Sequence, residues 1–261
     1  LTAGGYADDH LDCLPERRTV FERLRDAPDV EFNSTTAGAL WMDDAFGAIL
    51  DRISDLGLEE NTIVVWSTDH GFSGGKFSTY ECGIRIPFMA RWPGRFPAGR
   101  TVGALCQNVD LLPTLLDLIG AVPPGDMVLD GVSMAPLLLD PESRSEIRET
   151  LYSEFGYTRA VRCGKFKYIA WRLPPSLLEP VKRGEVESLY THFGRRMDKV
   201  GAKPSLMTPL ILNMPHYFDP DQLYDLDADP YETTNLADRP EYADTLGDMR
   251  DRLRAILQDM D

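Results

Sequence analysis

The chain has 261 residues, of which 43% are hydrophobic, and its formal net charge is −15 at pH 7. This length and composition are ordinary for a globular protein with a substantial core. The acidic charge opposes binding to nucleic acid, which requires basic surface for phosphate contacts. The sequence has no apolar run of about eighteen or more residues, so we predict no membrane span in this portion.

The first part of the chain predicts two amphipathic helices. One begins near Pro15 and presents three apolar residues on one side, Val20, Phe21 and Leu24. The other covers residues 35–56 and carries apolar residues at helical spacing, namely Leu40, Phe46, Ile49, Leu50 and Ile53. We expect this stripe to be buried. We expect Asp43 and Asp44 to face solvent or cap neighbouring groups rather than bind a metal.

The most informative segment is the strand and loop that follow. Residues 62–66 form a short β-branched and apolar run without alternation, typical of a strand covered on both faces in a parallel sheet. Asp69, His70 and Gly71 come directly after it, and ligands of such sheets gather beyond the carboxyl ends of the strands. There a carboxylate and an imidazole can face one ion, while the glycine lets the backbone turn away. Lys76 follows five residues later as a mobile cation.

The remaining elements are readable from local pattern. Residues 87–92 predict a strand, and residues 109–119 predict a helix with Asp110 in its first turn, where we expect a structural role. Three short runs predict a small antiparallel sheet, at residues 150–155, 158–163 and 167–171. Residues 173–221 have no sustained period and could be an insertion or an irregular excursion near the site, of the kind that often carries function. A final helix is predicted over residues 239–260, with an apolar side formed by Tyr242, Leu246, Met249, Leu253 and Leu257.

An ordered series of motifs resembles the sulfatases of the alkaline-phosphatase-like superfamily. The series comprises Met42-Asp43-Asp44, Asn61-Thr62, Asp69-His70-Gly71, Lys76, Thr79-Tyr80-Glu81, Arg85-Ile86-Pro87, Trp92-Pro93-Gly94, Val109-Asp110, Pro113-Thr114, Asp130-Gly131 and Pro136-Leu137-Leu138. The family's closing signature is matched by Leu223-Tyr224-Asp225-Leu226, Asp229-Pro230 and Glu232-Thr233-Thr234-Asn235-Leu236-Ala237. Each motif is weak evidence alone, but their common order is difficult to obtain by chance.

The resemblance implies an α/β fold. We expect residues 1–140 to be the C-terminal portion of the catalytic domain, part of an alkaline-phosphatase-like mixed sheet flanked by helices. Residues 141–261 are expected to form a small α+β C-terminal subdomain with an antiparallel sheet and a terminal helix. The family's formylglycine and its Asp-Asp metal pair belong to an upstream half that this chain starts too late to contain. Cys13-Leu14-Pro15-Glu16-Arg17 and Asp8-Asp9 look like those motifs, but their spacing favours a surface connection.

The resemblance also implies a sulfuric ester hydrolase, a sulfatase that uses formylglycine and a divalent metal. Asp69 is the expected metal ligand, and His70 either binds the metal or hydrogen-bonds the nucleophile or the sulfate. Lys76 matches the family's sulfate-binding catalytic lysine. We expect calcium, which accepts oxygen ligands at flexible geometry, with magnesium or manganese as alternatives. Arg85 is expected either near the site or paired with Glu81.

Two other functions share this sequence pattern. One is hydrolysis of a phosphate or phosphonate ester on the same fold, with serine or threonine as the nucleophile. The other is a truncated, non-catalytic sulfatase-like protein. The expected substrate is a sulfated small molecule or sugar, and the expected partner is a second copy of the chain or the missing N-terminal half. The cysteines at positions 13, 82, 106 and 163 lack metal-site spacing and are expected to be buried thiols.

Overall fold

The structure is a computed structural model that describes residues 14–71, 75–76, 78–140, 142–143, 146–183, 185 and 214–260. It divides into two compact units, Leu1–Val64 with Ala90–Phe96, and Val65–Met89 with Pro97–Asp261. The acidic pair Asp8-Asp9, Cys13 and most of the irregular segment 173–221 lie outside the described residues.

The first unit contains two helices close to the predicted positions, α1 (Arg17–Arg25) and α2 (Ser34–Asp55). The side chain of Asn33 starts α2 by accepting hydrogen bonds of 2.9 Å from the backbone amides of Thr35 and Thr36. The expected buried stripe of α2 is wrong: Ile49 is 55% exposed, and the other four residues of the stripe are only half-buried. The helix that packs along α2 in the described part of the chain is α1, which has 9 residues against 22. The later turns of α2 therefore extend past it.

The two predicted strands around the candidate site are present. They are β1 (Val64–Ser67) and β2 (Phe88–Arg91), which pair in a two-stranded sheet. The apolar residues of β1 are half-buried rather than covered on both faces as expected. The physical reason is that, among the described elements, no helix packs extensively against this sheet.

Asp110 holds together the segment that precedes helix α4 (Leu111–Ile119). Its fully buried carboxylate accepts hydrogen bonds from the backbone amides of Gln107 (2.7 Å) and Val132 (2.9 Å), and it pairs with Arg148. A Cβ at Gly131 would overlap the carbonyl group of Val109, so only glycine fits this approach. Two motifs of the series are thus packed against each other, which agrees with a structural role for Asp110.

A four-stranded antiparallel sheet dominates the C-terminal part. Its strands lie in the order of the chain, and their bounds are β3 (Thr150–Phe155), β4 (Thr158–Cys163), β5 (Phe166–Trp171) and β6 (Asp221–Asp225). The first three strands confirm the prediction, whereas β6 was expected only as a motif. The other helices of the second unit are α3 (Glu81–Ile84), α5 (Ala135–Leu139), α6 (Pro175–Lys182) and α7 (Ala243–Asp259).

Both faces of this sheet are covered. On one face, Tyr168 and Ala170 of β5 belong to a cluster with the apolar side of α7, formed by Leu246, Met249 and Leu253. On the other face, Ile169 and Trp171 cluster with Tyr80 and Tyr217. The alternation of side chains along β5 therefore sends one set to the terminal helix and the other set to the loop that contains Tyr80.

Two further expectations can be compared with the structure. Cys82, Cys106 and Cys163 are free thiols; Cys106 is exposed and the other two are half-buried, so the expectation of buried thiols is wrong for these three. Of the helices in the described part of the chain, none combines the length and the apolar character needed to cross a bilayer.

Candidate active site

Asp69 and His70 lie just beyond the end of β1. Asp69 Oδ1 is 3.5 Å from His70 Nε2, and the carboxylate is 82% exposed. His70 Nδ1 lies 2.8 Å from the carbonyl oxygen of Gly71. Because a carbonyl oxygen only accepts, Nδ1 carries the proton and Nε2 presents a lone pair in the neutral ring. Metal-binding histidines are commonly oriented by such a second hydrogen bond.

The donor atoms of this pair fit a divalent cation. Two ligands at about 2.4 Å from one ion and at a right angle would be about 3.4 Å apart, close to the observed separation. Among the described residues, no group of three or more His, Cys, Asp or Glu side chains is arranged to hold a metal. Asp69 and His70 are therefore compatible with part of a metal site, whose other ligands would come from elsewhere.

Gly83 of α3 contacts both segments of the candidate site. The amide of Gly71 donates to the carbonyl oxygen of Gly83 at 2.9 Å, which fixes the end of the Asp69-His70-Gly71 turn. Gly83 also packs against Gly75, where an added Cβ on Gly83 would overlap the Gly75 carbonyl group. An added Cβ at Gly71 would overlap the carbonyl of Cys82. These approaches require glycine, because no side chain fits between the backbones.

Lys76 directly follows Gly75 and is half-buried. The carbonyl oxygen of Gly75 accepts a hydrogen bond of 2.7 Å from Ser78 Oγ, and Ser78 is itself buried. Both the Ser78 side chain and α3 therefore contact Gly75, the residue that directly precedes Lys76. The structure brings the Asp69-His70-Gly71 turn and the Lys76 loop onto one short helix.

Tyr80 attaches this loop to the antiparallel sheet. Its hydroxyl donates to Gln222 Oε1 at 2.6 Å, and Tyr224 donates to the same atom at 2.9 Å. The ring of Tyr80 stacks on Tyr217 with centroids 6.2 Å apart. Burial raises the pKa of the Tyr80 phenol, so this group stays protonated and remains a donor.

Four charged side chains meet where α3 touches the sheet. Lys167 Nζ lies 2.8 Å from Glu232 Oε1 and 3.1 Å from Glu81 Oε1, and Arg162 Nη1 lies 3.1 Å from Glu81 Oε2. The backbone amide of Glu81 donates to Glu232 Oε2 at 2.5 Å. Lys167 and Glu232 are each 1% exposed. Burial raises the pKa of Glu232, while Lys167 acts in the opposite direction.

Sequence reasoning assigned no role to Lys167 and included Glu232 only within a motif. Lys167 stands in the run Phe-Lys-Tyr-Ile-Ala-Trp, and a lone charge in such an apolar strand signals a buried partner. The alternative that pairs Arg85 with Glu81 is wrong: Arg85 is exposed, and the Glu81 carboxylate pairs with Lys167 and Arg162. The contact between Arg85 and Glu81 is a backbone hydrogen bond of 2.9 Å.

Comparison with known proteins identifies relatives of this chain. The family model described as Sulfatase matches residues 9–121. An ulvan-active sulfatase from Formosa agariphila is 34% identical over 199 residues, which cover 73% of this chain and 36% of that protein. The chain spans 36% to 38% of the length of three curated relatives that it matches over most of its own length.

Two solved structures share the fold. One is a protein in complex with its substrate D-glucosamine-2-N,6-O-disulfate, with a TM-score of 0.61 at 24% identity, covering 85% of this chain and 39% of that chain. The other is a phosphonate monoester hydrolase of Agrobacterium radiobacter, with a TM-score of 0.60 at 22% identity, covering 85% and 40%. The predicted α/β fold is confirmed, because these two structures share it.

Members of this family generally use a divalent metal and a formylglycine. The partial coverage of the relatives fits the interpretation of the chain as the C-terminal half of such a protein. The sequence matches and the shared fold together establish that this chain belongs to the sulfatase family.

Proposed function

We propose that the protein hydrolyses a sulfate ester and that Asp69, His70 and Lys76 form part of its active site. The proposal concerns the whole protein, since the chain spans about two-fifths of the relatives' length. The observation that carries it is the attachment of the Asp69-His70-Gly71 turn and of Gly75, next to Lys76, to the same residue, Gly83. The backbone of Gly83 thereby holds the two segments that carry the carboxylate of Asp69, the imidazole of His70 and the ammonium group of Lys76.

Asp69 and His70 would hold a divalent metal in this account. Asp69 would serve as an ionised ligand, and His70 would bind through Nε2 because its Nδ1 proton is donated to the Gly71 carbonyl. We propose calcium, because it accepts oxygen ligands at flexible geometry. Magnesium and manganese are the alternatives to be tested, and manganese is included because imidazole suits softer ions better. When bound, such an ion would draw negative charge from the sulfate oxygens.

Lys76 would bind the substrate sulfate and assist its transfer. Its ammonium group can donate to a sulfate oxygen, or to the leaving ester oxygen on which negative charge develops. A cation on a loop that is already held in place is effective there because little reorganisation is needed as the charge appears. The net charge of −15 means that attraction of a sulfated small molecule or sugar would depend on this local cation rather than on the field of the whole chain.

The remaining parts of the site would come from sequence outside this chain. In this proposal the formylglycine nucleophile lies upstream of Leu1, in a missing N-terminal half, and Cys13 is an ordinary thiol. Residues 1–140 would then complete the catalytic domain together with that half, and residues 141–261 would form the C-terminal subdomain.

The shared fold with a phosphonate monoester hydrolase makes substrate chemistry the decisive test. The full-length protein would be mapped by tryptic mass spectrometry for formylglycine, and then assayed with 4-nitrophenyl sulfate, 4-nitrophenyl phosphate and 4-nitrophenyl phenylphosphonate. We expect an upstream formylglycine, unmodified Cys13 and the highest kcat/KM on the sulfate. A serine or threonine nucleophile with preference for the phosphorus esters would support the alternative hydrolase. Absence of turnover on all three esters and on a panel of sulfated sugars would indicate a non-catalytic protein.

A further inference from the structure

We propose that Glu232 and Lys167 are positioning residues for the loop that carries Lys76, so that the antiparallel sheet sets the place of the candidate sulfate-binding cation. The effect on catalysis rests on the proposed function. The effect on the position of the loop does not, because it follows from the contacts of the buried charges alone.

The arrangement of charges on the sheet requires a bridging carboxylate from the loop. Arg162 of β4 and Lys167 of β5 are directly opposite each other in the antiparallel register. Like charges in this relation repel each other. Glu81 offsets the repulsion, because one of its carboxylate oxygens contacts Arg162 and the other contacts Lys167. The sheet therefore stabilises α3 in the one place where Glu81 lies between the two cations.

Glu232 adds a second attachment. It neutralises Lys167 from the other side and also accepts the hydrogen bond from the backbone amide of Glu81. That amide is at the first residue of α3, where no partner within the helix is available. Glu232 thus accepts a hydrogen bond from the backbone of Glu81, and it also pairs with Lys167, the cation that pairs with the Glu81 side chain.

The backbone of Glu232 supports a specific role for its side chain. Its φ is 57°, in the left-handed region that is unfavourable for a residue with a Cβ. Strained backbone of this kind persists where surrounding contacts hold it. Buried ion pairs likewise contribute little net stability compared with apolar packing, and their best supported benefit is to specify one arrangement. The unfavourable backbone of Glu232 and the buried ion pair with Lys167 both occur where α3 contacts the sheet.

A short path of contacts leads from Glu232 to Lys76. Glu232 fixes the start of α3, α3 contains Gly83, and Gly83 contacts Gly75, which directly precedes Lys76. The same Gly83 accepts the hydrogen bond from Gly71 at the end of the Asp69-His70-Gly71 turn. A displacement of α3 would therefore move the lysine and the candidate metal ligands together.

Hydrogen exchange measured by mass spectrometry on the full-length protein tests the positioning directly. The variants are Glu232→Ala, which removes the contacts of Glu232 with Lys167 and with the Glu81 amide, Glu232→Gln, which keeps an acceptor for that amide, and Lys167→Met. Lys165→Met is the matched control, because it removes a lysine two positions away whose ion pair with Asp225 does not involve α3. We expect exchange in peptides covering residues 71 and 81–85 to accelerate at least tenfold in Glu232→Ala and Lys167→Met. Glu232→Gln should give a smaller increase, and exchange in α7 should stay unchanged.

Kinetics on 4-nitrophenyl sulfate test the catalytic consequence. Since a misplacement of about 1 Å can lower a rate by about a hundredfold, we expect kcat/KM to fall between tenfold and a hundredfold in Glu232→Ala. Glu232→Gln should recover part of the loss, and Lys165→Met should retain wild-type kinetics. If the wild type hydrolyses no sulfate ester, the proposed function fails, while the exchange data still decide the positioning.

Two results would overturn the inference. One is wild-type exchange over residues 71 and 81–85 in folded Glu232→Gln and Lys167→Met. The other is an increase of equal size in α7, which would show general destabilisation rather than release of the loop. If Glu232→Ala does not fold, the comparison of Glu232→Gln and Lys167→Met with Lys165→Met decides the question.

Discussion

The backbone amide of Glu81 donates a hydrogen bond to Oε2 of Glu232, 151 positions further along the chain, at a distance of 2.5 Å. Each residue belongs to a motif that the resemblance identified separately, Thr79-Tyr80-Glu81 and the closing signature. Two motifs that are far apart in the sequence are thus connected by a hydrogen bond between the candidate site loop and the C-terminal part of the chain.

Substitution by alanine is expected to change the free energy of unfolding in opposite directions at two helical glycines, Gly83 of α3 and Gly247 of α7. Gly83→Ala places a Cβ against the Gly75 carbonyl group, whereas Gly247→Ala in α7 places one in open space. We expect Gly83→Ala to lower the free energy of unfolding by about 1–3 kcal/mol, as overpacking does. Gly247→Ala should raise it by about 0.5–1 kcal/mol through reduced chain entropy. Urea denaturation measures both changes, and a stabilised Gly83→Ala variant would contradict the described packing.

The ion pair between Lys165 and Asp225 predicts a pH dependence of stability. The hydrogen bond from Lys165 holds the pKa of Asp225 below its usual range, and the backbone amides of Ala228 and Asp227 act in the same direction. A carboxyl group with a lowered pKa stabilises the fold above its unfolded pKa of about 3.9, and this contribution is lost as the pH falls through the folded value.

Asp225→Asn should therefore be less stable than the wild type at pH 7, and the difference should shrink as the pH falls below about 4. Urea midpoints from pH 7 down to pH 2.5 measure this. The exposed Asp238 provides the control, since Asp238→Asn should change stability little at any pH. A difference for Asp225→Asn that stays constant over this range would show that its charge is not involved.

Removal of metal should lower thermal stability if Asp69 and His70 bind a divalent ion. A ligand at a hundred times its Kd stabilises a protein by about 2.7 kcal/mol, and chelation should remove that amount. We expect calcium to raise the Tm of the full-length wild type, and Asp69→Asn to require a higher concentration for the same rise. Asp238→Asn should respond like the wild type. A Tm that is the same with a chelator and with calcium, magnesium or manganese would count against a metal site.

The strands and the terminal helix could be predicted because their signals are local. The short strand-like runs of β3 to β5 and the helical spacing of Leu246, Met249 and Leu253 each depend on neighbouring residues, and the structure buries those three helical side chains. The exposure of Ile49 could not be predicted in this way. Helical spacing identifies an apolar side, but it does not identify which neighbouring element covers that side.

The cluster of Glu81, Arg162, Lys167 and Glu232 could not be predicted from the spacing of residues in the sequence. The opposition of Arg162 and Lys167 is a property of the strand register, and the placement of Glu232 depends on a left-handed backbone at a non-glycine residue. Sequence reasoning assigned no role to Lys167, and a lone charge in an apolar strand does not specify which carboxylate pairs with it. The roles of Asp69, His70 and Lys76, and the boundary at residue 140, remain predictions.

Substitution of Lys76 tests the central claim most directly. The measurement is kcat/KM for 4-nitrophenyl sulfate in the full-length protein, compared between wild type, Lys76→Met and the control Lys165→Met. Loss of one fixed donor to developing charge typically lowers kcat by about a hundredfold to a thousandfold, and we expect a loss of that size for Lys76→Met with an unchanged Tm. Wild-type activity in Lys76→Met would contradict the assignment of Lys76 as the sulfate-binding cation.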